Sequence, residues 1–169
     1  MKLIPLTHGL FAQVDDADFD WLNQWKWCAV SNYSKYKRAY AARSVKEGPK
    51  WRTVRMHRLI LGITDSEVLG DHRNGDSLDN RRSNLRTATP QQNSFNQRIS
   101  RSNKSGFKGI SYDQNTGSWQ AKITVNRRHK YLGRFKTPAE AAQAYTNAAQ
   151  EIHGEFFNPE TIAALTLKG

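Results

Sequence analysis

The alternation of apolar and polar positions is clearest in the second half of the chain. Over residues 118–126, Trp119, Ala121, Ile123 and Val125 fall on one face, and Gln120, Lys122 and Thr124 on the other. That is the two-residue period of a half-buried strand. Residues 107–112 predict a strand before it and residues 130–135 a strand after it. Between them lie the turn residues Gln114-Asn115-Thr116-Gly117 and then Arg127-Arg128-His129. Thr137-Pro138-Ala139-Glu140 opens a helix, with Thr as N-cap, Pro at the first helical position and Glu closing a capping box. The helix puts Ala141, Ala144, Tyr145, Ala148 and Ile152 on one face and stops at Gly154. This half therefore predicts a three-stranded antiparallel sheet packed on one helix, which its small Ala residues allow to lie close.

The first half is less regular. Residues 3–6 and 10–14 read as short strands and residues 18–27 as a short helix. Strands are expected near Cys28–Val30, 38–43 and 51–55, and a short helix over 56–61, ended by Gly62. Residues 68–72 and 84–88 read as two strands flanking a polar loop that contains Asn74-Gly75 and Asp79-Asn80. Thr89-Pro90-Gln91-Gln92 starts another helix and places Asn93 on its first turns. Residues 97–105 are polar, basic and aperiodic, as a linker would be. The predicted organisation is α+β. A domain spans 1–97 with its core at 67–97, a basic linker 98–105, a second domain 106–158 and a tail 159–169.

Charge changes the picture most. Lys and Arg number 26 against 15 Asp and Glu, a formal net charge of +11. The excess is uneven. The first twenty residues hold Lys2 and four acids (Asp15, Asp16, Asp18, Asp20), whereas Arg98 to Arg134 holds nine basic residues and one acid, Asp113. A small basic chain of this kind faces a polyanion. With 5 Trp, 6 Tyr and 7 Phe the chain is not disordered. The single cysteine, Cys28, excludes an internal disulfide and a Cys-based zinc site, and its neighbours Trp27 and Ala29 suggest a buried small hydrophobe. No apolar run is long enough to span a membrane and residues 1–10 lack a signal-peptide pattern, so a soluble, cytoplasmic protein is expected.

The chemistry gathers at residues 67–97. Asp71 is a hard oxygen donor suited to Mg²⁺, and Asn93 offers a carbonyl oxygen. His72 follows Asp71 but points to the other face of the strand. An imidazole near its ordinary pKa can take a proton from water at neutral pH. A metal that neutralises phosphate charge beside a base that activates water suffices for phosphodiester hydrolysis. Asp76, Asp79, Asn80 and Asn84 can equally be loop-shaping residues. His57 suggests packing or a phosphate contact, His8 and His153 surface or core filling, and the acids at 15–20 a solvated helix start.

The segments Asp71-His72, Asn74-Gly75-Asp76, Leu78-Asp79-Asn80, Ser83-Asn84-Leu85-Arg86 and Asn93 resemble the HNH (ββα-metal) nucleases, in the homing-type subgroup of phages and introns. The text IPLTHG, VDDADFDWLNQWKW and MHRLILG carries the resemblance upstream. It implies an N-terminal ββα-metal fold, His72 as general base, Asp71 and Asn93 as ligands of one Mg²⁺ or Mn²⁺ per active site, and Asn84 as the catalytic-loop brace. Asn93 stands where many members carry His, as in the homing subgroup.

Residues 105–158 resemble the plant ethylene-response-factor (AP-two/ERF) family. The resemblance rests on Ser105-Gly106-Phe107-Lys108-Gly109-Ile110, Gly117-Ser118-Trp119, Ala121-Lys122-Ile123, Tyr131-Leu132-Gly133-Arg134-Phe135 and Glu140-Ala141-Ala142 with Ala144-Tyr145. It implies that the exposed sheet face enters the major groove of DNA. Lys108, Gln120, Lys122, Thr124, Arg127, Arg128, His129 and Tyr131 are then the expected DNA-binding residues. Ser111 and Asp113 replace Arg of the plant factors, so the target sequence differs. Together the two resemblances imply a homing-type endonuclease that nicks double-stranded DNA as a monomer or weak dimer, without a membrane or an obligatory small-molecule cofactor. In a phage-encoded protein the compartment is the bacterial cytoplasm. The competing readings are a DNA-binding regulator with an inactive nuclease domain, an RNA-directed nuclease, and a packaging protein acting by charge alone.

Overall fold

The computed structural model describes residues 1–31, 39–96, 99, 103–126 and 128–159. It is a mixed αβ structure whose strands all pair antiparallel within their sheets, and it divides into two units after Pro90. Among the described residues no helix is long and apolar enough to cross a membrane.

In the first unit β1 (Lys2–Pro5) pairs with β2 (Phe11–Val14), and α1 (Asp16–Asn23) follows. The helix stops four residues before the expected end. Trp27 leaves it to bury its ring and donate from Nε1 to the Leu22 carbonyl at 2.9 Å. A second sheet joins β3 (Cys28–Val30), β4 (Tyr40–Glu47) and β5 (Lys50–Arg55). In β3 the alternation turns Ala29 inward, so Cys28 is exposed rather than buried as the sequence suggests. Beyond Arg43, β4 and β5 form a ribbon of mostly exposed residues, and β4 runs four residues past its predicted end. Next come α2 (Met56–Ile60), then β6 (Leu69–His72) paired with β7 (Leu85–Ala88). Ile4, Ala12, Val14, Leu22, Trp27, Ala41, Met56, Ile60 and Leu85 close one core.

The acids of α1 do more than face water. Asp18 is 2% exposed and takes Arg82 Nε and Nη2 at 2.7 and 2.8 Å, while Asp15 accepts from the Arg82 backbone N–H at 2.8 Å. The Arg82 guanidinium holds the Asp18 carboxyl below the usual range. Residues 15–18 thus tie down the loop between β6 and β7.

The helix α3 (Pro90–Phe95) lies, after its first residue, in the second unit. The sequence places the division at 97–98, seven residues later. The shift has a visible cause. Lys108 Nζ donates to the Phe95 and Ser94 carbonyls at 2.8 and 3.4 Å, and the Phe95 and His153 rings stack at 3.6 Å and 8°. Of the expected linker, residues 97, 98 and 100–102 lie outside the described residues, as do residues 160–169 of the tail.

The rest of the second unit is the expected three-stranded sheet on one helix: β8 (Ile110–Asp113), β9 (Ser118–Val125), β10 (Arg128–Phe135) and α4 (Pro138–His153), with β9 central. Thr137 and Glu140 form the capping box. Ala121, Ile123, Ala141, Ala142, Tyr145 and Ala149 close this core. Its buried helix face is centred nearer Ala142 and Ala149 than the sequence places it, with Ala144 and Ala148 half-buried. Gly109, at φ +70°, cannot be replaced without strain: a Cβ there would sit 2.2 Å from Tyr145 Cε2 and 2.4 Å from the Lys122 carbonyl. The turn after β9 is tighter than expected, since Arg128 and His129 already belong to β10.

Candidate active site and nucleic-acid face

The pairing of β6 with β7 sets Asp71 opposite Arg86 and His72 opposite Leu85. Directly paired residues share a face. The Arg86 guanidinium accordingly reaches Asp71 Oδ2 from Nε at 2.8 Å and from Nη2 at 2.7 Å, with both side chains buried.

His72 points to the opposite face, as its place in the strand requires, and is also buried. Its Nε2 lies 3.5 Å from Asn80 Oδ1. The Asn80 amide N donates to the Leu78 carbonyl at 3.0 Å, which fixes the amide with its oxygen toward the imidazole. An oxygen there can only accept, so this contact favours the tautomer with its proton on Nε2 and Nδ1 basic. Burial lowers the His72 pKa, against the opposing effect of Asn80 and of Asp71, Asp76 and Asp79. The lowered pKa favours the neutral ring, the form a general base needs.

The loop 73–84 is rigid for reasons visible in its residues. Asn84 is buried, accepts from the Asn74 N–H at 3.0 Å and donates to the Asp79 carbonyl at 2.8 Å. Asp79, 2% exposed, binds Arg81 from Nε at 2.7 Å and Nη2 at 2.6 Å and the Asn74 amide at 3.0 Å; Arg81 holds its carboxyl below the usual range. The backbone of Gln13 in β2 receives Asn80 N–H and donates to the Leu78 carbonyl, each at 2.8 Å. Asp76 closes a turn by accepting from Leu78 N–H at 3.0 Å. Asp76 and Asp79 are thus the loop-shaping residues that the sequence suggests.

Two residues at this site go beyond the sequence reading. Asn80, which the sequence treats as a turn residue, is fully buried and is the amide that meets His72. His57 is 3% exposed and sets its ring against that of His72 at 5.0 Å between centroids. Its pKa is pushed down to about 3, first by burial and then by the charges of His72, Arg55 and Arg58. No periodicity joins residue 57 to residue 72, so only the fold reveals this pair.

Asn93 is half-buried on α3, in the second unit. Asp71, His72 and Asn84 come together in the first. Among the described residues no group of three or more His, Cys, Asp or Glu gathers as a metal-holding cluster.

On the C-terminal sheet the register aligns Lys122 with Tyr131 and Thr124 with His129, all exposed and opposite in phase to the buried Ala121 and Ile123. Thr124 Oγ1 and His129 Nδ1 lie 3.0 Å apart. A register shift between Tyr131 and Gly133 then changes the phase of β10 and pairs Arg134 with Gln120. Strict alternation from Tyr131 would hide Arg134, which is why the sequence reading omits it. Gln120 donates to Asp113 at 2.6 Å and Arg134 lies 3.7 Å from the same carboxylate oxygen. Lys108 is set apart from this row by its bonds to the end of α3, and burial lowers its pKa. Arg128 is exposed at the start of β10; Arg127 lies outside the described residues.

Comparison with known proteins bears on both units. The AP2 domain family matches residues 105–155. An uncharacterized HNH endonuclease of Acanthamoeba polyphaga mimivirus is 37% identical over 144 residues, covering 81% of this chain and 72% of that protein. Protein 3.8 of Escherichia phage T7 is 32% identical over 87 residues, covering 51% of this chain and 70% of its own length. No solved structure matches.

Proposed function

Since this chain belongs to the HNH endonucleases and carries an AP2 domain, we propose that it is a sequence-targeted DNA endonuclease of the homing type, hydrolysing one phosphodiester bond per site with His72 as general base. The observation that carries the reading is the burial of His72, with Nε2 against Asn80, on the same strand as Asp71.

Asp71 would hold a divalent cation, Mg²⁺ or Mn²⁺, one per active site, and the family resemblance implies Asn93 as a further donor. A carboxylate and an amide oxygen are hard donors that suit such an ion. So few protein donors, with Arg86 offsetting the Asp71 charge, would hold the ion weakly without DNA. When bound, the cation would supply charge neutralisation at the scissile phosphate. His72 Nδ1 takes the proton from the attacking water, and Asn80 keeps the imidazole in the tautomer that leaves that nitrogen basic. Asn84 holds the loop that carries Asn80. Lys122, Thr124, His129, Tyr131 and Arg134 present the sheet to the major groove, with Arg128 at the start of β10 and Arg127 as a further phosphate contact. One site per chain makes a nick the product of a monomer.

The experiment is incubation of the full chain with supercoiled plasmid, phage and host DNA in Mg²⁺, with RNA of matched sequence in parallel. Nicked circles are expected first. DNA binding without cleavage would favour the DNA-binding regulator, and cleavage of RNA alone would favour an RNA-directed nuclease.

A further inference from the structure

His57 has no part in the chemistry above, yet the fold gives it an unusual seat. A Cβ on Gly70 would lie 2.5 Å from His57 Cδ2 and 3.2 Å from Nε2. The His57 ring therefore rests on the backbone of β6 itself, two residues before His72, at a distance only glycine permits. Its edge-on contact with the His72 ring has an interplanar angle of 74°. Tyr40 touches both rings, with centroids 5.6 Å from His57 and 6.1 Å from His72, and the Arg55 guanidinium caps Tyr40 at 5.2 Å. Among the described residues the buried Nδ1 of His57 has no hydrogen-bond partner. With that nitrogen unbonded, what His57 offers His72 is its flat ring.

We infer that His57 is a positioning residue for His72: seated on Gly70 and backed by Tyr40, its flat ring blocks rotation of the His72 imidazole and keeps the basic nitrogen aimed at the attacking water. This inference rests on the assignment of His72 as base. Asn80 meets one end of the imidazole at 3.5 Å, a length that constrains the plane of the ring only weakly. Packing from His57 and Tyr40 supplies the second constraint. Displacement of a reacting group by about 1 Å costs up to roughly 100-fold in rate.

Four variants of the full chain test it: His57→Ala, His57→Phe, Gly70→Ala and the double variant Gly70→Ala/His57→Ala. His57→Ala and Gly70→Ala should lower kcat by roughly 10- to 100-fold with KM for DNA unchanged. His57→Phe keeps a flat ring and should stay within about fivefold of the parent. The double variant should be no worse than His57→Ala, because the atom that the new Cβ meets is gone. NMR of the His72 ring gives a readout independent of cleavage. Its signals should broaden through exchange in His57→Ala and Gly70→Ala and stay sharp in His57→Phe. Sharp, unshifted His72 signals in His57→Ala would overturn the inference even if no DNA substrate is cut. So would a Gly70→Ala protein that folds and cleaves at the parent rate. Failure of the parent to cleave, with the His72 ring released in His57→Ala, would refute the assignment of the base and leave the positioning contact standing.

Discussion

Arg86 and Asp71 form a buried ion pair across two strands, with Nε and Nη2 at 2.8 and 2.7 Å from Oδ2. The carboxylate proposed to hold the cation is therefore also a structural partner, and its deletion has two consequences. Removing one member of a buried pair leaves an uncompensated charge, at a cost of about 3–5 kcal/mol. Asp71→Ala should lower the urea midpoint and abolish cleavage together. Asp71→Ala/Arg86→Met should restore most of the stability and none of the cleavage. A stable double variant that cuts DNA would remove Asp71 from the metal site.

Asn84→Ala leaves the Asn74 N–H and the Asp79 carbonyl without the side-chain partner they now have. The buried Asp79 carbonyl, stranded in this way, costs about 1–3 kcal/mol. The first unit should lose stability, and the loop that presents Asn80 to His72 should loosen. Hydrogen exchange of the Asn74 amide, faster in the variant, checks the local effect. Unchanged protection would mean that Asn84 does not brace the loop.

On the C-terminal sheet, Lys122→Ala and Arg134→Ala should each weaken DNA binding and reduce the slope of log affinity against log salt by about 1. Asp113→Asn should do the opposite. It removes the carboxylate that engages Gln120 and Arg134, and affinity at low salt should rise by roughly threefold to tenfold if one more phosphate is contacted. Binding curves at ~50 and ~200 mM salt decide. A salt slope unaffected by Arg134→Ala would take the outward face of β10 out of the interface.

How much of this could be read from the sequence depended on periodicity. The alternation of Trp119, Ala121, Ile123 and Val125, and the Thr137–Glu140 cap, are local signals, and sheet and helix stand where they point. Arg134 escaped because a bulge between Tyr131 and Gly133 shifts the phase, and a strand pattern carries no mark of that. Asp71, His72 and the Asn74–Asn84 loop were legible as a motif. Their partners were not: Arg86 faces Asp71 through strand register, and Asp18 meets Arg82 from 64 residues away. His57 reaches His72 through a close approach at Gly70, whose meaning depends on an atom that is missing. The acids near Asp18 look like a solvated helix start until their cationic partner is placed.

In the second unit the His153 pKa is pushed down to about 4, by burial first and by the charge of Lys108 second. The folded value lies below the unfolded value of about 6.5, so the unfolded chain binds more protons between them. The stabilising effect is fully present above about pH 6.5 and is lost as pH falls toward 4. The His153 ring proton shift should therefore stay constant from pH 7 to near 5 in NMR, and the melting temperature should fall as pH drops below 6.5. His153→Phe keeps a ring against Phe95 and should make that fall shallower. A His153 midpoint near 6.5 would contradict the buried stack.

The central claim is that His72 performs the chemistry while affinity for DNA resides elsewhere. Single-turnover cleavage of supercoiled plasmid by His72→Ala, at an enzyme concentration that saturates the DNA in a parallel binding curve, tests it most directly. The rate should fall by about 10²–10⁴-fold, the loss typical of a missing general base, with affinity unchanged within about twofold. A His72→Ala protein that nicks within a few-fold of the parent rate would contradict the account.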